Sequence, residues 1–184
     1  MKKTYKVNDI FYSLQGEGFW TGTPAVFVRL SGCNLQCPFC DTDHFDGRRL
    51  SAEEIVDAVK EFPASHVIVT GGEPAMQIDA TLVEALHRAG LYIHIETNGT
   101  LPLPEGIDWV TCSPKTSRLG ITRANELKYV FQGRDMEPLF NIIEADYHFL
   151  QPCSGENIDE TVAYVLEYPH WSLSLQTHKL IDIK

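Results

Sequence analysis

The chain has 184 residues, of which 43% are hydrophobic and 22% are charged, and its formal net charge at pH 7 is −10. This balance is typical of a globular protein and excludes a disordered chain. The acidic charge also argues against binding DNA or RNA through many phosphate contacts, since that mode requires a basic face. We therefore expect one domain over residues 1–184 that acts on a small molecule, with no direct nucleic-acid partner.

The N-terminal segment does not resemble a secretion signal, because Lys6, Asn8 and Asp9 interrupt any apolar run. No stretch approaches the run of about 18 apolar residues that indicates a membrane helix. We therefore expect a cytoplasmic protein without a membrane partner. The chain has five cysteines, which in the reducing cytosol favour metal or redox chemistry over disulfides.

The predicted secondary structure alternates short buried strands with amphipathic helices. Ser51 and Glu54 form a predicted capping box, and Gly90 is a typical helix end. In chain order, the predicted elements are a strand over 25–30, a helix beginning at Ser51, a strand over 66–70, a helix from about Asp79 to Gly90, a strand over 91–96, a helix over 136–145, a strand over 147–151 and a helix over 158–166.

Repeated strand–helix–strand units predict parallel strands, because a parallel pair requires a crossover connection. A complete eight-unit barrel usually needs at least about 200 residues, so we expect an α/β fold that forms a partial, open barrel. Polar or reactive residues follow consecutive predicted strands at Cys33, 70–74, Asn98 and 113–115. Since these strand ends meet on one side of the fold, the sequence predicts the active site there.

Cys33, Cys37 and Cys40 have the spacing C-x3-C-x2-C on one short loop. Iron–sulfur clusters are commonly held by four Cys thiolates, so three would leave one iron open to a chelating molecule such as S-adenosylmethionine. A zinc site at these cysteines would need a second close Cys or His pair, whereas Cys112 and Cys153 lie far apart in the chain. The spacing favours a cluster, with zinc or buried inert thiols as weaker alternatives.

The three cysteines, with Phe39 just before the last of them, resemble the motif of the radical S-adenosylmethionine superfamily. The segment Thr70-Gly71-Gly72-Glu73-Pro74 resembles the superfamily's GGE segment, although alone it would be explained by a Gly-Gly turn. The resemblance implies a [4Fe–4S] cluster held by the three cysteines, and S-adenosylmethionine bound through its amino group near Gly72 and Glu73.

Further segments are similar to the 7-carboxy-7-deazaguanine synthase family, and this resemblance runs from about Ile10 to the end of the chain. The segments are Phe11-Tyr12-Ser13-Leu14-Gln15-Gly16-Glu17-Gly18, Cys40-Asp41-Thr42, Glu96-Thr97-Asn98-Gly99, Ser113-Pro114-Lys115 and Gln176-Thr177-His178-Lys179. The resemblance implies a homodimeric carbon–nitrogen lyase of queuosine biosynthesis, a tRNA modification pathway. Its reaction would contract the ring of 6-carboxy-5,6,7,8-tetrahydropterin to 7-carboxy-7-deazaguanine and release ammonia, with an electron donor such as flavodoxin or ferredoxin.

The family resemblance also implies roles for individual residues. Substrate would be bound by Leu14, Gln15, Gly16, Arg29, Thr70, His178 and Lys184. S-adenosylmethionine would be bound by Phe39, Gly72, Glu73, Ser113, Pro114, Lys115, Gln151, Pro152, Cys153 and Ser154. Thr42 would coordinate Mg²⁺ together with the substrate carboxylate, in keeping with the preference of Mg²⁺ for oxygen ligands.

The chemistry of single residues leaves alternatives open. Arg29 offers a bidentate fork for a carboxylate, but it could equally be a surface ion-pair partner, and Thr42 could cap a loop. Glu96 ends an apolar run, where a carboxylate is costly unless it is paired or functional. We expect Glu96 to transfer protons, with a structural carboxylate bonded to backbone amides as the alternative.

Two other functions remain open at this point. A glycyl-radical-enzyme activase belongs to the same superfamily and would act on a large protein partner. A non-catalytic zinc- or cluster-binding module would not require the GGE segment or the residues Leu14-Gln15-Gly16.

Overall fold

The computed structural model describes residues 2–135 and 142–184. The strands are β1 (Tyr5–Leu14), β2 (Pro24–Leu30), β3 (Arg48–Leu50), β4 (His66–Gly71), β5 (Tyr92–Thr97), β6 (Trp109–Cys112), β7 (Arg123–Phe131), β8 (Glu144–Pro152) and β9 (Ser172–Leu173). The helices are α1 (Ala52–Lys60), α2 (Ala80–Arg88), α3 (Ile158–Glu167) and α4 (Thr177–Leu180). Among these residues, none of the helices has the length and apolar character needed to cross a membrane.

The strands form one sheet in the order β3-β1-β2-β4-β5-β6-β7-β8-β9. β1 is antiparallel to both of its neighbours, whereas all neighbouring pairs from β2 to β9 are parallel. Within residues 2–135 and 142–184 no pairing joins β3 to β9, so the sheet does not close. The predicted partial, open barrel is therefore confirmed.

Most predicted elements are confirmed, with one error. The apolar runs correspond to β2, β4, β5 and β8, and the helices to α1, α2 and α3. The capping box is also present, since Ser51 Oγ accepts a hydrogen bond from Glu54 N and Glu54 Oε2 accepts one from Ser51 N. Of the helix predicted over 136–145, residues 136–141 lie outside the described residues.

The last residues of that predicted helix belong to a strand instead. Glu144 and Ala145 begin β8, which is longer than its apolar run. Arg123 on β7 explains the extension, because it binds Glu144 at 2.5 Å and Asp146 at 2.7 Å. Cross-strand pairs of opposite charge stabilise a sheet even where the strand is exposed.

The outer face of the sheet is apolar because helices pack on it. One buried cluster joins β2, β4 and β5 to α1 and α2, and includes Val69, Ile95 and Leu82. A second joins β7 and β8 to α3, and includes Leu127 and Tyr129. Successive side chains of a strand point to opposite faces, so the residues between these, among them Thr70, Glu96 and Lys128, point into the barrel.

The barrel interior is layered along the strands. At the first residues of β4, β5 and β6, an aromatic floor is formed by His66, Tyr92 and Trp109 together with Trp20, whose ring centroid is 5.1 Å from that of His66 and 5.4 Å from that of Trp109. A middle layer contains Ile68, His94 and Thr111, in which His94 Nε2 lies 2.8 Å from Thr111 Oγ1. The charged side chains of Glu96 and Lys128 lie beyond both layers, toward the C-terminal ends of the strands.

Candidate active site

Two cavities open at the C-terminal ends of the parallel strands, where this fold carries its chemistry. The polar cavity has a volume of about 350 Å³ and lies between β1, β2 and the segment around α4. The cluster cavity has a volume of about 670 Å³ and lies against the loop between β2 and β3. The two share a boundary, here called the partition, formed by residues that line both: Glu17, Asp41, Thr42, Thr70, Glu96 and Gln176.

The three motif cysteines, Cys33, Cys37 and Cys40, all line the cluster cavity. Burial raises the pKa of Cys37, and the neighbouring Cys33 and Cys40 raise it further, whereas Lys115 lowers it. Among residues 2–135 and 142–184, no three Cys, His, Asp or Glu side chains converge on a point that could hold a single metal ion. A cubane cluster needs no such point, because each thiolate binds a different iron, so three thiols on one cavity wall fit a [4Fe–4S] cluster with one open iron.

The other two cysteines of the chain differ in their surroundings. Cys153 lines the cluster cavity. Cys112 ends β6 and is fully buried, and burial raises the pKa of its thiol to about 12.

Gly72 brings the segment after β4 against the cysteine loop. Glu73 N donates to Gly32 O at 2.8 Å, and a Cβ added at Gly72 would lie 2.0 Å from the same carbonyl oxygen. Only glycine permits an approach this close. Glycine is therefore required at position 72 for the two loops to pack together.

The Glu73 carboxylate points away from the cluster cavity. It is fully buried and accepts hydrogen bonds from Thr97 Oγ1 at 2.6 Å, Asn98 N at 2.7 Å and Ala75 N at 2.9 Å. Burial raises its pKa, although these hydrogen bonds oppose the shift. The contacts fasten the end of β5 to the segment after β4, and a role for Glu73 toward S-adenosylmethionine stays a prediction.

Most of the residues predicted to bind S-adenosylmethionine lie together. Those that line the cluster cavity are Phe39, Gly72, Ser113, Lys115, Gln151, Pro152, Cys153 and Ser154. Pro114 and Glu73 are buried beside them without lining the cavity. Lys115 Nζ donates to Ser113 Oγ at 2.5 Å and to Ser113 O at 3.0 Å, and burial lowers its pKa.

The residues predicted to bind substrate all line the polar cavity. They are Leu14, Gln15, Gly16, Arg29, Thr70, His178 and Lys184, together with Glu96 and Thr42. Arg29 Nη1 donates to Thr42 Oγ1 at 3.3 Å. The apolar part of the wall is a stack of Phe11 and Phe27, whose ring centroids are 5.0 Å apart.

Glu96 is the central acceptor of the partition. Its Oε1 accepts from Gln15 Nε2 at 3.0 Å and its Oε2 from Thr70 Oγ1 at 3.2 Å, and Lys128 Nζ lies 3.7 Å from Oε1. Burial alone would raise its pKa, but Lys128 and these hydrogen bonds outweigh burial and lower it. Glu96 is therefore an ionised, buried carboxylate at neutral pH.

Comparisons with known proteins agree with this geometry. The family model of the Radical SAM superfamily matches residues 27–121. The chain is also similar to a 7-carboxy-7-deazaguanine synthase of Bacteroides thetaiotaomicron, with 58% identity over 97% of this chain and 98% of that protein. The chain belongs to the 7-carboxy-7-deazaguanine synthase family.

Two further family members extend the comparison. A 7-carboxy-7-deazaguanine synthase of Bordetella pertussis is 42% identical over 97% of this chain and 99% of its own length. A crystal structure of QueE from Escherichia coli aligns with a TM-score of 0.77 at 29% identity, covering 94% of this chain and 93% of that one. The family likeness thus extends over both cavities, well beyond the residues matched by the superfamily model.

The structure adds site residues that the sequence reasoning missed. Lys128 forms an ion pair with Glu17, and Gln176 Nε2 donates to Glu17 at 2.9 Å. Asp41 accepts from Lys179 Nζ at 2.6 Å and from Gln176 Nε2 at 3.2 Å, which ties the segment around α4 to the cysteine loop. A lysine between the buried residues Leu127 and Tyr129 was an available signal, since a buried charge is costly without a partner.

We predict that Gly72→Ala lowers the iron content of anaerobically reconstituted protein. The added methyl group overlaps Gly32 O, so the cysteine loop has to shift, and such overpacking costs about 1–3 kcal/mol. Iron and sulfide analysis and thermal unfolding measure the two effects. Gly90→Ala is the control for iron content, because its methyl group would meet nothing within 4 Å and it does not line either cavity. Its φ of 76° strains an alanine, so this control does not apply to thermal unfolding. Wild-type iron content in Gly72→Ala would contradict the proposed fit between the loops.

Proposed function

We propose that this chain catalyses the ring contraction of 6-carboxy-5,6,7,8-tetrahydropterin to 7-carboxy-7-deazaguanine, with release of ammonia. The observation that carries the proposal is the partition, because it brings a polar cavity of small-molecule size into contact with a cavity lined by three cysteines. A glycyl-radical-enzyme activase would have to admit a protein segment. The segment around α4, held to Gly16 O by Thr177 N at 2.9 Å, instead covers the polar cavity.

The polar cavity offers complementary groups for a reduced carboxypterin. Arg29 supplies a planar fork for the carboxylate, while Glu96 and Glu17 supply acceptors for ring N–H groups. The Phe11–Phe27 stack forms the apolar part of the cavity wall. Charged groups fixed around the cavity would bind the substrate in a single orientation.

The cluster cavity would hold the cofactors. Cys33, Cys37 and Cys40 would bind the [4Fe–4S] cluster, and the predicted residues that line the same cavity would bind S-adenosylmethionine. When bound, these groups supply the 5′-deoxyadenosyl radical that removes a hydrogen atom from C6 of the pterin. The contribution of the chain is to hold that carbon at the partition and to exclude water and competing hydrogen donors.

Glu96 is proposed as the proton-transfer group. Its pKa is lowered, so the carboxylate is ionised and able to accept a proton at Oε1 or Oε2. The hydrogen bonds from Gln15 and Thr70 fix its orientation toward both cavities. A candidate base must reach the proton that it abstracts, and the position of Glu96 in the partition supports this role.

Mg²⁺ is proposed to bind between Thr42 Oγ1 and the substrate carboxylate. The neighbouring Arg29 would contact the same carboxylate, since its Nη1 lies 3.3 Å from Thr42 Oγ1. Mg²⁺ usually retains several water ligands and needs few protein ligands, which suits a site with one hydroxyl.

The remaining parts of the proposal rest on the family resemblance. They are a carbon–nitrogen lyase of queuosine biosynthesis, a homodimer, and reduction by flavodoxin or ferredoxin. The single domain over residues 1–184 and the cytoplasmic location are proposed from the length and composition of the chain. The continuous sheet supports the single domain.

The proposed function predicts a defined product. Reconstituted protein, incubated anaerobically with reductant, Mg²⁺, S-adenosylmethionine and 6-carboxy-5,6,7,8-tetrahydropterin, should form 7-carboxy-7-deazaguanine, as detected by mass spectrometry. Cys40→Ala is the matched negative control, because it removes one cluster ligand. Unchanged pterin in the presence of a complete, reducible cluster would favour the activase instead.

Arg29→Ala should lower kcat/KM, because it leaves a buried substrate charge without its partner. The expected loss corresponds to about 2–5 kcal/mol of transition-state binding free energy. Arg29→Lys should recover only part of the loss, because an ammonium lacks the bidentate fork. Steady-state kinetics measure the effect, and iron content should stay at the wild-type level. Arg88→Ala, which removes an exposed arginine, is the control, and an equal loss in Arg29→Ala and Arg88→Ala would refute the assignment.

Thr42→Ala should abolish the stimulation of turnover by Mg²⁺, because the proposed hydroxyl ligand is lost. Thr42→Ser keeps the hydroxyl group and is expected to keep the stimulation. Product formation is measured against Mg²⁺ concentration for all three proteins. A wild-type Mg²⁺ dependence in Thr42→Ala would show that the metal binds elsewhere.

A further inference from the structure

Lys128 occupies a buried position beside the partition. It lies on β7, is 5% exposed and points into the barrel, while its neighbours Leu127 and Tyr129 pack in the outer core. Its ammonium forms an ion pair with the Glu17 carboxylate and lies 3.7 Å from Glu96 Oε1. One cation therefore contacts two carboxylates that both line the polar and the cluster cavity.

Stability alone does not account for this arrangement. Moving an ion out of water costs several kcal/mol, and a well-packed apolar side chain often serves as well or better. Burial would lower the pKa of Lys128, but Glu17 and Glu96 raise it above its usual range. The cost of burying the lysine is thus offset by the carboxylates held around it.

A third carboxylate near Lys128, that of Glu126, is hydrogen-bonded to the backbone of Phe19. Glu126 Oε2 accepts a hydrogen bond from Phe19 N at 3.0 Å, and burial raises the pKa of Glu126. A Cβ on Gly18 would lie 1.9 Å from Glu126 Oε1, so Gly18 allows the chain to approach this side chain. Glu126 also raises the pKa of Lys128, but the ion pairs of the ammonium are with Glu17 and Glu96.

We propose that Lys128 is a positioning residue for the reaction, which holds the Glu96 and Glu17 carboxylates in place in the partition, where substrate and S-adenosylmethionine meet. Lys128 itself lines only the cluster-cavity side and acts through the two carboxylates. This inference rests on the proposed function and assigns a role to a residue outside the predicted site.

The surroundings of Glu96 determine what loss of Lys128 would do. The groups that face it are Gln15 and Glu17 after β1, Arg29 on β2, Thr70 on β4, and Glu126 and Lys128 on β7. Without Lys128, burial and the two nearby carboxylates all favour the neutral form of Glu96. Its pKa rises, and the ionised form is lost at a higher pH than in the wild type.

The test is the pH dependence of turnover in Lys128→Met and Lys128→Arg. In Lys128→Met the acid limb of the kcat profile should move upward by about 1–3 pH units, the usual effect of one close opposite charge. Lys128→Arg keeps the charge and should keep the limb near its wild-type position. Lys60→Met removes an exposed lysine and should change nothing. A folded Lys128→Met with a full cluster and the wild-type pH profile would overturn the proposal.

Two further measurements separate positioning from structural damage. Iron content and the cleavage of S-adenosylmethionine without substrate should be unchanged in Lys128→Met, whereas the yield of product per 5′-deoxyadenosine should fall. Substrate affinity from anaerobic calorimetry should weaken more at low pH than at high pH. Parallel losses of iron, cleavage and product at every pH would indicate a merely structural lysine.

A second pair of variants covers the case in which Lys128→Met does not fold. Glu17→Gln with Lys128→Met removes the close ion pair as a unit, and Glu17→Gln alone is its reference. The same upward displacement of the acid limb is expected between these two, because Glu96 loses Lys128 in the double variant only. If the wild-type protein makes no product, the proposed function fails. If the wild type is active but Glu17→Gln and the double variant have the same pH profile, only the role of Lys128 is refuted.

Discussion

The alternation of side chains along the parallel strands is the constraint on which the site depends. Helices α1, α2 and α3 cover the outer face, so the residues of β4, β5 and β7 that pack against them, such as Val69, Ile95 and Leu127, are apolar. The residues between them, including Thr70, Glu96 and Lys128, are thereby directed into the barrel. A slip of one residue in any strand would exchange the two faces, so the packing of the core and the position of the charges are fixed together.

Charge balance inside the barrel follows from this placement. Glu96 remains ionised because Lys128, Gln15 and Thr70 compensate for its burial, and Lys128 also forms an ion pair with Glu17. The same compensation leaves both carboxylates at the boundary of the two cavities. The charged groups whose burial destabilises the barrel interior are therefore the same groups that supply the reactive side chains of the partition.

Much of this organisation could be predicted from the sequence, because apolar runs and cysteine spacing are local signals. β7 was missed because Arg123, Glu126 and Lys128 interrupt its apolar pattern, although two of them are buried by pairing inside the barrel. The contacts of Asp41 with Gln176 and Lys179 were missed for another reason. These contacts join residues that are far apart in the chain, and no local sequence pattern indicates them.

Local sequence pattern was also insufficient for the helix predicted over 136–145. Its last two residues are held in β8 by Arg123, a partner from another strand. The contacts of the Glu73 carboxylate with Thr97 and Asn98 were not predicted either. In each case a tertiary partner determines the outcome.

The burial of Cys112 bears on how the protein acquires its iron. Thiolates bind metal and thiols do not, and a pKa of about 12 keeps Cys112 protonated at neutral pH. In the folded protein this sulfur is therefore a poor iron ligand, even though it ends a strand at the same edge of the sheet as the motif loop. Burial thus sets Cys112 apart from the three motif cysteines, which line the cluster cavity.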